Sequence, residues 1–211
     1  MARPWADQPY RLLDIPGQPG AVTTENKYIL DVAIEMANVH NLILRGMNAI
    51  YLQCEHVHDS ADIKDFVQFI EFWGDTVHHH HHQEETLAFP EWNKIAKEGG
   101  ATTDLMSENI EQHHAFEGGF QALLDYVKEV QDGKATYDGR KVTATLDSFC
   151  PVLNQHLHDE IKTIMGLEKY DGKKVKAVFA KVAEAAIKTA DPVSHDGSAF
   201  LRQQLTLHRT R

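Results

Sequence analysis

Apolar residues recur at steps of three and four along most of this chain, and this pattern predicts four long amphipathic helices. The predicted helices span residues 25–54, 60–89, 103–131 and 143–166. Pro90 is expected to end the second helix, because a proline in a helix interior lacks the N–H that the helix needs. A fifth, shorter and alanine-rich pattern covers residues 173–189 and has one apolar side.

The segments outside these helices lack the periodicity. Residues 1–25 contain four of the seven prolines and are predicted to form an irregular N-terminal arm. Short connectors make neighbouring helices antiparallel, so residues 26–168 are predicted to form an all-α, up-down-up-down four-helix bundle. Residues 169–211 would add a short fifth C-terminal helix and a polar tail. We expect this helix to cap the bundle, with a homodimer through its apolar side as the alternative to a monomer.

Each of the four long apolar stripes contains a histidine where the pattern expects an apolar residue. These histidines are His40, His80, His113 and His156. Counting residues from the connecting turns, at about 1.5 Å per residue, places all four at one level of the bundle core. Glu84 follows His80 by four residues and Glu160 follows His156 by four, a spacing that puts both side chains on one helix face.

The second helix carries an unbroken run of five histidines, residues 78–82. Helix-forming sequence flanks this run on both sides, so we treat it as native and not as a purification tag. Glu85 follows His81 at the same spacing as Glu84 follows His80, so the register of this helix stays open by one residue. The other three members of the run point to other faces and are expected at the surface or behind the ligands.

The histidines and acids predict a metal centre in the bundle core. A single histidine on an apolar face is usually a core residue with one hydrogen bond, but burying six polar groups without a metal is costly. Imidazoles and carboxylates without a thiolate suit iron, manganese or zinc. The set exceeds the four ligands of one zinc ion. Glu84 and Glu160 come from non-adjacent helices and are placed to bridge two ions about 3.5–4 Å apart.

A second metal architecture is weighed against this one. The ferritin-like fold uses Glu-x-x-His on two helices, and the chain has two matches to it, Glu55/His58 and Glu111/His114. The first match lies at the end of its predicted helix, far from the histidine layer. We therefore prefer the centre built on the four stripe histidines.

Composition excludes several classes of function. The net charge of −10 argues against nucleic-acid binding, which needs clustered basic charge. No run reaches the roughly 18 apolar residues that a membrane span needs. With only two cysteines and no apolar secretory stretch near the start, we expect a cytoplasmic protein with reduced thiols.

The motifs resemble those of the hemerythrin-like family, the HHE cation-binding domain, and most closely its fungal members. The matching stretches, one for each long helix, are MANVHNLILRGMNAIY, HHHHHQEETLAFPEW, NIEQHHAF and LNQHLHDEI. The resemblance covers roughly residues 28–168 and implies a non-haem di-iron site, with manganese or zinc as substitutes for iron. By position it implies as ligands His40, His80, Glu84, His113, His156 and Glu160, with His81 as a further ligand.

Two departures from the family bear on function. Hemerythrins proper carry a second histidine four residues after the first on the third helix, and this chain has Glu117 there. They also use an aspartate five residues after the last histidine, whereas Glu160 lies four residues after His156. We take Glu117 as a candidate ligand, and a carboxylate at this position would favour ferric over ferrous iron. Both departures argue against simple oxygen carriage.

The leading hypothesis is a di-iron protein that binds or activates dioxygen or a peroxide, with a small organic molecule as a further partner. Oxidative chemistry is favoured over reversible oxygen carriage, and no catalytic residue separate from the metal centre is indicated. The alternative is a non-enzymatic protein for iron or oxygen sensing, storage or transport. The third hypothesis is a metal-free helical protein that binds other proteins. Metal analysis separates the third from the others, and steady turnover of dioxygen separates the first from the second.

Overall fold

The computed structural model describes residues 5–189, and these are mostly helical, without a strand. The α-helices are α1 Lys27–Gln53, α2 Ser60–Gln83, α3 Phe89–Glu98, α4 Ser107–Gln131, α5 Gly139–Gly166 and α6 Gly172–Thr189. A five-residue π-helix, Glu84–Ala88, joins α2 directly to α3. Residues 1–4 and 190–211, which include the start of the predicted arm and the predicted polar tail, lie outside the described residues.

Helices α1, α2, α4 and α5 form the bundle, in which α1 packs against α2 and α5, and α4 packs against the same two helices. This arrangement confirms the predicted all-α four-helix bundle. Local sequence signals start the helices. The side chains of Asn26, Asp59 and Asp138 accept hydrogen bonds from N–H groups in the first turns of α1, α2 and α5, groups that have no partner within the helix.

Two glycines let the helices of the bundle approach closely. A Cβ atom at Gly46 of α1 would lie 2.4 Å from Cδ1 of Trp73 on α2. The indole N–H of Trp73 donates a hydrogen bond to the carbonyl of Ile43 at 3.0 Å, which fixes this contact. A Cβ atom at Gly119 of α4 would lie 2.8 Å from Cβ of Phe149 on α5. These close approaches bring polar side chains of facing helices within reach of one another.

Pro90 does not end the second long helix, contrary to the sequence prediction. The N–H of Phe89 bonds to the carbonyl of Glu84, five residues back, which is the hydrogen-bond pattern of a π-helix. Pro90 falls directly after this wider turn, in the first turn of α3, where a missing N–H is tolerated. The helical path therefore continues through Pro90 to Glu98.

The starts of α4 and α5 also differ from the predictions. The Asp104 side chain accepts a hydrogen bond from the N–H of Met106 at 3.0 Å and keeps this segment in a turn, so α4 begins only at Ser107. Helix α5 begins earlier than predicted, at Gly139, and Pro151 lies inside it. A Cβ atom at Gly139 would lie 2.1 Å from the carbonyl oxygen of Cys54, so glycine is required at this close approach.

Helix α6 packs against the outside of the bundle, on α1 and α3. Val175 is fully buried in this contact, and the indole N–H of Trp92 donates a hydrogen bond to its carbonyl at 3.2 Å. An ion pair between Lys176 and Asp31 joins α6 to α1. Within residues 5–189, none of the helices combines the length and the apolar character that crossing a membrane would require.

The described part of the N-terminal arm, residues 5–26, lies along α1. The Asn41 side chain accepts a hydrogen bond from the N–H of Leu13 at 2.7 Å and donates one to its carbonyl at 3.1 Å. Two helical turns further on, Asn48 makes the same pair of bonds to Tyr10. The side-chain amides of the two asparagines therefore provide hydrogen-bond partners for backbone groups of the arm, which belongs to no helix or sheet at these positions.

Candidate metal centre

Seven of the eight predicted ligands meet in the core of the bundle, in two groups of four that share one glutamate. The first, here called the His81 group, consists of His81, Glu84, His113 and His156. The second, here called the His40 group, consists of His40, His80, Glu84 and Glu160. Within each group the potential ligand atoms lie within 4.8 Å of one another.

Two adjacent histidines of α2 both point to this centre, one to each group. His80 belongs to the His40 group, and His81 belongs to the His81 group. Consecutive side chains on an α-helix point about 100° apart. The centre therefore lies between the directions in which these two side chains point. The register that the sequence left open is therefore not a choice between His80 and His81, because the structure brings both into the centre.

Glu84 lies between the two groups. Its Oε1 atom is 3.0 Å from Nε2 of His80, and its Oε2 atom is 3.7 Å from Nε2 of His113. The two oxygens of one carboxylate thus face ligands of different groups, which is the geometry of a bridging carboxylate. Glu84 is the first residue of the π-helix, and such helices are frequent at functional sites.

Glu160 approaches both groups from α5. Its Oε2 atom is 3.4 Å from Nε2 of His40 and 3.7 Å from Nε2 of His156. The imidazoles also face one another in pairs. The Nε2 atoms of His40 and His80 are 3.2 Å apart, and those of His113 and His156 are 3.0 Å apart. Nitrogen and oxygen atoms from four helical segments therefore converge on two adjacent points.

Hydrogen bonds on the outer side of the imidazoles fix which nitrogen faces the centre. Three rings pair through Nδ1 with oxygens outside the two groups: His40 with the carbonyl of Leu157 at 2.7 Å, His113 with Glu85 at 2.6 Å, and His156 with Oε1 of Gln112 at 3.2 Å. An oxygen acceptor at Nδ1 requires the proton there, which leaves the lone pair on Nε2 of a neutral ring. That lone pair is what a metal ion binds.

The buried atoms without partners show that this set of residues fits metal ions. Nε2 of His81 and all four carboxylate oxygens of Glu84 and Glu160 are buried and accept or donate no hydrogen bond within the described residues. Leaving such groups unpaired away from water is costly. Cations bound at both groups would satisfy all of these atoms at once.

Burial strongly affects the protonation states of the candidate ligand residues in the absence of metal. It lowers the pKa of His81 and of His156 well below the ordinary value, so both rings are neutral and able to bind a metal. Burial and then the charge of Glu160 raise the pKa of Glu84 well above its ordinary value. Burial also acts to raise the pKa of Glu160, but its electrostatic interactions with His40, His156 and His80 outweigh burial and hold this pKa low. The two neighbouring acids therefore differ in the direction of their pKa shifts, upward for Glu84 and downward for Glu160.

The structure does not place Glu117 in the centre. Its side chain is exposed and belongs to neither group, although it lies four residues after His113. The interior position on this turn of α4 is taken by Phe116, three residues after His113 and only 3% exposed. Its ring lies 5.1 Å from that of His81. The exposed carboxylate at position 117 therefore gives no support to the sequence argument that it is a ligand.

Sequence reasoning missed the role of Glu85, which it considered only as an alternative ligand. Its carboxylate hydrogen-bonds the outer nitrogen of His113 and is 35% exposed. Consecutive helical residues point about 100° apart, so Glu84 faces the centre while Glu85 reaches the outer side of His113. The ferritin-like alternative finds no support in the described residues, because the side chains of Glu111 and His114 are exposed and belong to neither group.

The geometry agrees with comparisons to known proteins. The model of the hemerythrin HHE cation binding domain family matches residues 33–167, more than half of the chain, and this chain belongs to that family. The dimeric xanthone biosynthesis cluster protein R11 of Cryptosporiopsis sp. (strain 8999) is 35% identical over 181 residues. The alignment covers 85% of this chain and 66% of that relative, just under two thirds of its length. No solved structure matches the chain.

Proposed function

We propose that this protein binds two iron ions in the bundle core and uses them to activate dioxygen or a peroxide for oxidative chemistry. The observation that carries the proposal is the pair of four-residue groups that share Glu84. Each group offers nitrogen and oxygen ligands without a thiolate, a set that suits iron, with manganese and zinc as the other candidates. A bridging carboxylate between two groups is typical of centres with two ions.

Iron bound at both groups would supply the electrons that reduce dioxygen. The protein's own residues would position and shield the reaction. The outer hydrogen bonds hold the imidazoles of His40, His113 and His156 in place. The ring of Phe89 lies against that of His113 at 5.8 Å, and the ring of Phe116 lies edge-on to it at 5.9 Å. These apolar walls exclude water, which would quench a reactive oxygen species.

The name of the fungal relative favours oxidative chemistry over oxygen carriage. That protein is named as a member of a biosynthetic cluster for dimeric xanthones. A role in building a small organic molecule fits an enzyme better than it fits a carrier. This support replaces the earlier argument from Glu117, whose side chain is exposed. A small organic substrate and dioxygen or peroxide are accordingly the partners we propose.

Burial of the centre favours the non-enzymatic alternative, a sensor, store or transporter of iron or oxygen. The side chain of His80 is 13% exposed, and those of Glu84 and Glu160 are 2% and 0% exposed. A diatomic molecule reaches such a centre more easily than an organic substrate does. The two functions therefore differ in whether oxidation of a second molecule accompanies oxygen binding.

The test begins with a metal count. We expect two irons per chain after anaerobic reconstitution, and a plateau at one would overturn the two-ion proposal. Dioxygen is then added to the reduced protein and removed by degassing while the absorption spectrum is followed. A spectrum that returns fully to the reduced form would identify a reversible binder. Sustained oxygen consumption with an organic reductant, absent from metal-free protein, would support the enzyme.

A further inference from the structure

Two histidines of the run on α2 take no part in the buried centre. His78 and His82 lie one helical turn apart, and both side chains are exposed. Their rings are almost parallel, with an interplanar angle of 13° and centroids 6.3 Å apart. Neither imidazole makes a hydrogen bond or an ion pair to another side chain within the described part of the chain. Both rings are therefore free to bind a ligand from solvent.

The spacing of these rings suits a single metal ion between them. Residues four apart on a helix lie on one face and can chelate together. With ion–nitrogen bonds of about 2.0–2.1 Å, two rings that share an ion at an angle of about 90–110° have centroids roughly 4.5–5.2 Å apart. The observed 6.3 Å is about 1 Å wider, and rotation of the two exposed side chains to other rotamers closes this gap.

The charge near the pair also favours a cation. Asp75 is three residues before His78 on the same exposed face of α2. Burial raises the pKa of Asp75, the charge of Glu71 raises it further, and the charge of His78 lowers it. The aspartate and the imidazole are thus within electrostatic reach of each other. A carboxylate at this position attracts a divalent ion to the two rings.

We propose that His78 and His82 form a second, solvent-exposed site that binds one divalent transition-metal ion of the class of Cu²⁺, Ni²⁺ or Zn²⁺. The two imidazoles supply its protein ligands, and water completes the coordination. This site is separate from the buried centre and does not depend on the function proposed for it. The affinity for different ions follows the usual order of nitrogen ligands, with Cu²⁺ bound more tightly than Ni²⁺ and Ni²⁺ more tightly than Co²⁺.

The test uses the full chain with its buried centre already loaded with iron. Cu²⁺ and Ni²⁺ are titrated in turn, and the bound Cu²⁺ is examined by electron paramagnetic resonance. We expect one additional ion per chain, with a spectrum that shows two equivalent nitrogen ligands. Loss of one ring removes the chelate, so His78→Ala and His82→Ala should each weaken binding by about 100-fold.

His114→Ala is the matched control. Like His82, His114 is exposed and directly follows a candidate ligand histidine in the chain. Unlike His82, it has no histidine three or four residues away. Its loss should leave the additional ion in place, and iron content should stay unchanged in all three variants. If an alanine variant loses iron, His82→Gln, which keeps a polar side chain of similar length without the ring, replaces it.

Three results would overturn the proposal. One is that the loaded wild-type chain binds no additional ion. Another is that both histidine variants bind it as tightly as the wild type does. The last is that His114→Ala loses as much affinity as His82→Ala, because binding would then belong to exposed histidines in general. Iron is counted before and after each titration, so a failure of the two-iron proposal is distinguished from a failure of this one.

Discussion

Oε1 of Glu85 lies 2.6 Å from Nδ1 of His113, and this hydrogen bond connects a half-exposed carboxylate to a residue of the His81 group. The bond orients the ring and makes its other nitrogen a better metal ligand. We therefore predict that Glu85→Ala lowers metal affinity by about 10- to 100-fold. The number of ions bound at saturation should not change, because the ligands themselves are intact. Competition with a coloured chelator measures this affinity.

Glu91→Ala is a suitable control, because Glu91 is an exposed glutamate on α3 outside both groups. Glu85→Gln should fall between wild type and Glu85→Ala, since the amide oxygen still accepts the proton of His113 but carries no charge. Wild-type affinity in Glu85→Ala would show that the ring of His113 needs no partner.

Glu84 belongs to both groups, whereas His40 belongs to one. We predict that Glu84→Ala lowers the iron content toward zero, because each group loses one of its four residues and the bridge between them disappears. His40→Ala should instead leave about one iron per chain, held by the complete His81 group. Iron analysis of the purified, reconstituted variants tests both expectations. A Glu84→Ala protein that keeps two irons would show that its carboxylate is not a ligand.

Much of the fold followed from the spacing of apolar residues. The stripes placed His40, His113 and His156 inside the bundle because each takes the place of an apolar residue in a regular helix. The π-helix is different, since it depends on one backbone hydrogen bond, from Phe89 to Glu84. The spacing of apolar residues does not predict that bond, and the bond decides the helical path through Pro90.

Glu117 shows the limit of a spacing rule for a single turn. Four residues and three residues are equally compatible with one helix face. The buried seam of α4 runs from His113 through Phe116, Phe120 and Leu123, all at most 5% exposed. The first step of this seam is three residues long, so the fourth residue turns outward. The apolar side chain of Phe116 beside the charged side chain of Glu117 is the sequence signal for that choice.

We therefore predict that Glu117→His leaves the metal count and the spectrum of the loaded protein unchanged. The side chain is exposed and lies outside both groups, so a new imidazole there would face solvent. Phe116→His is the informative contrast, because position 116 is buried beside His81 and His156. A changed spectrum in Glu117→His would mean that α4 rotates when metal binds.

Acid should destabilise the metal-free protein, and the direction follows from the buried histidines. Burial lowers the pKa values of His80, His81, His113 and His156. Between these values and the ordinary histidine pKa, the unfolded chain binds more protons than the folded chain does. The free energy of unfolding therefore falls as the pH decreases through this window. Glu84 acts in the opposite direction, because its raised pKa lets the folded chain keep a proton that the unfolded chain releases.

Four imidazoles outweigh one carboxylate, so we predict a lower midpoint of urea unfolding at about pH 5 than at about pH 7 for metal-free protein. Glu84→Gln removes the opposing group of the centre, and its midpoint should fall more steeply over the same range. His81→Phe removes an imidazole that must otherwise be buried uncharged, and it should reduce the dependence on pH. A midpoint that rises on acidification would show that Glu84, and not the histidines, dominates proton binding in the empty core. Equal slopes for all three proteins would show that the pH dependence arises outside the centre.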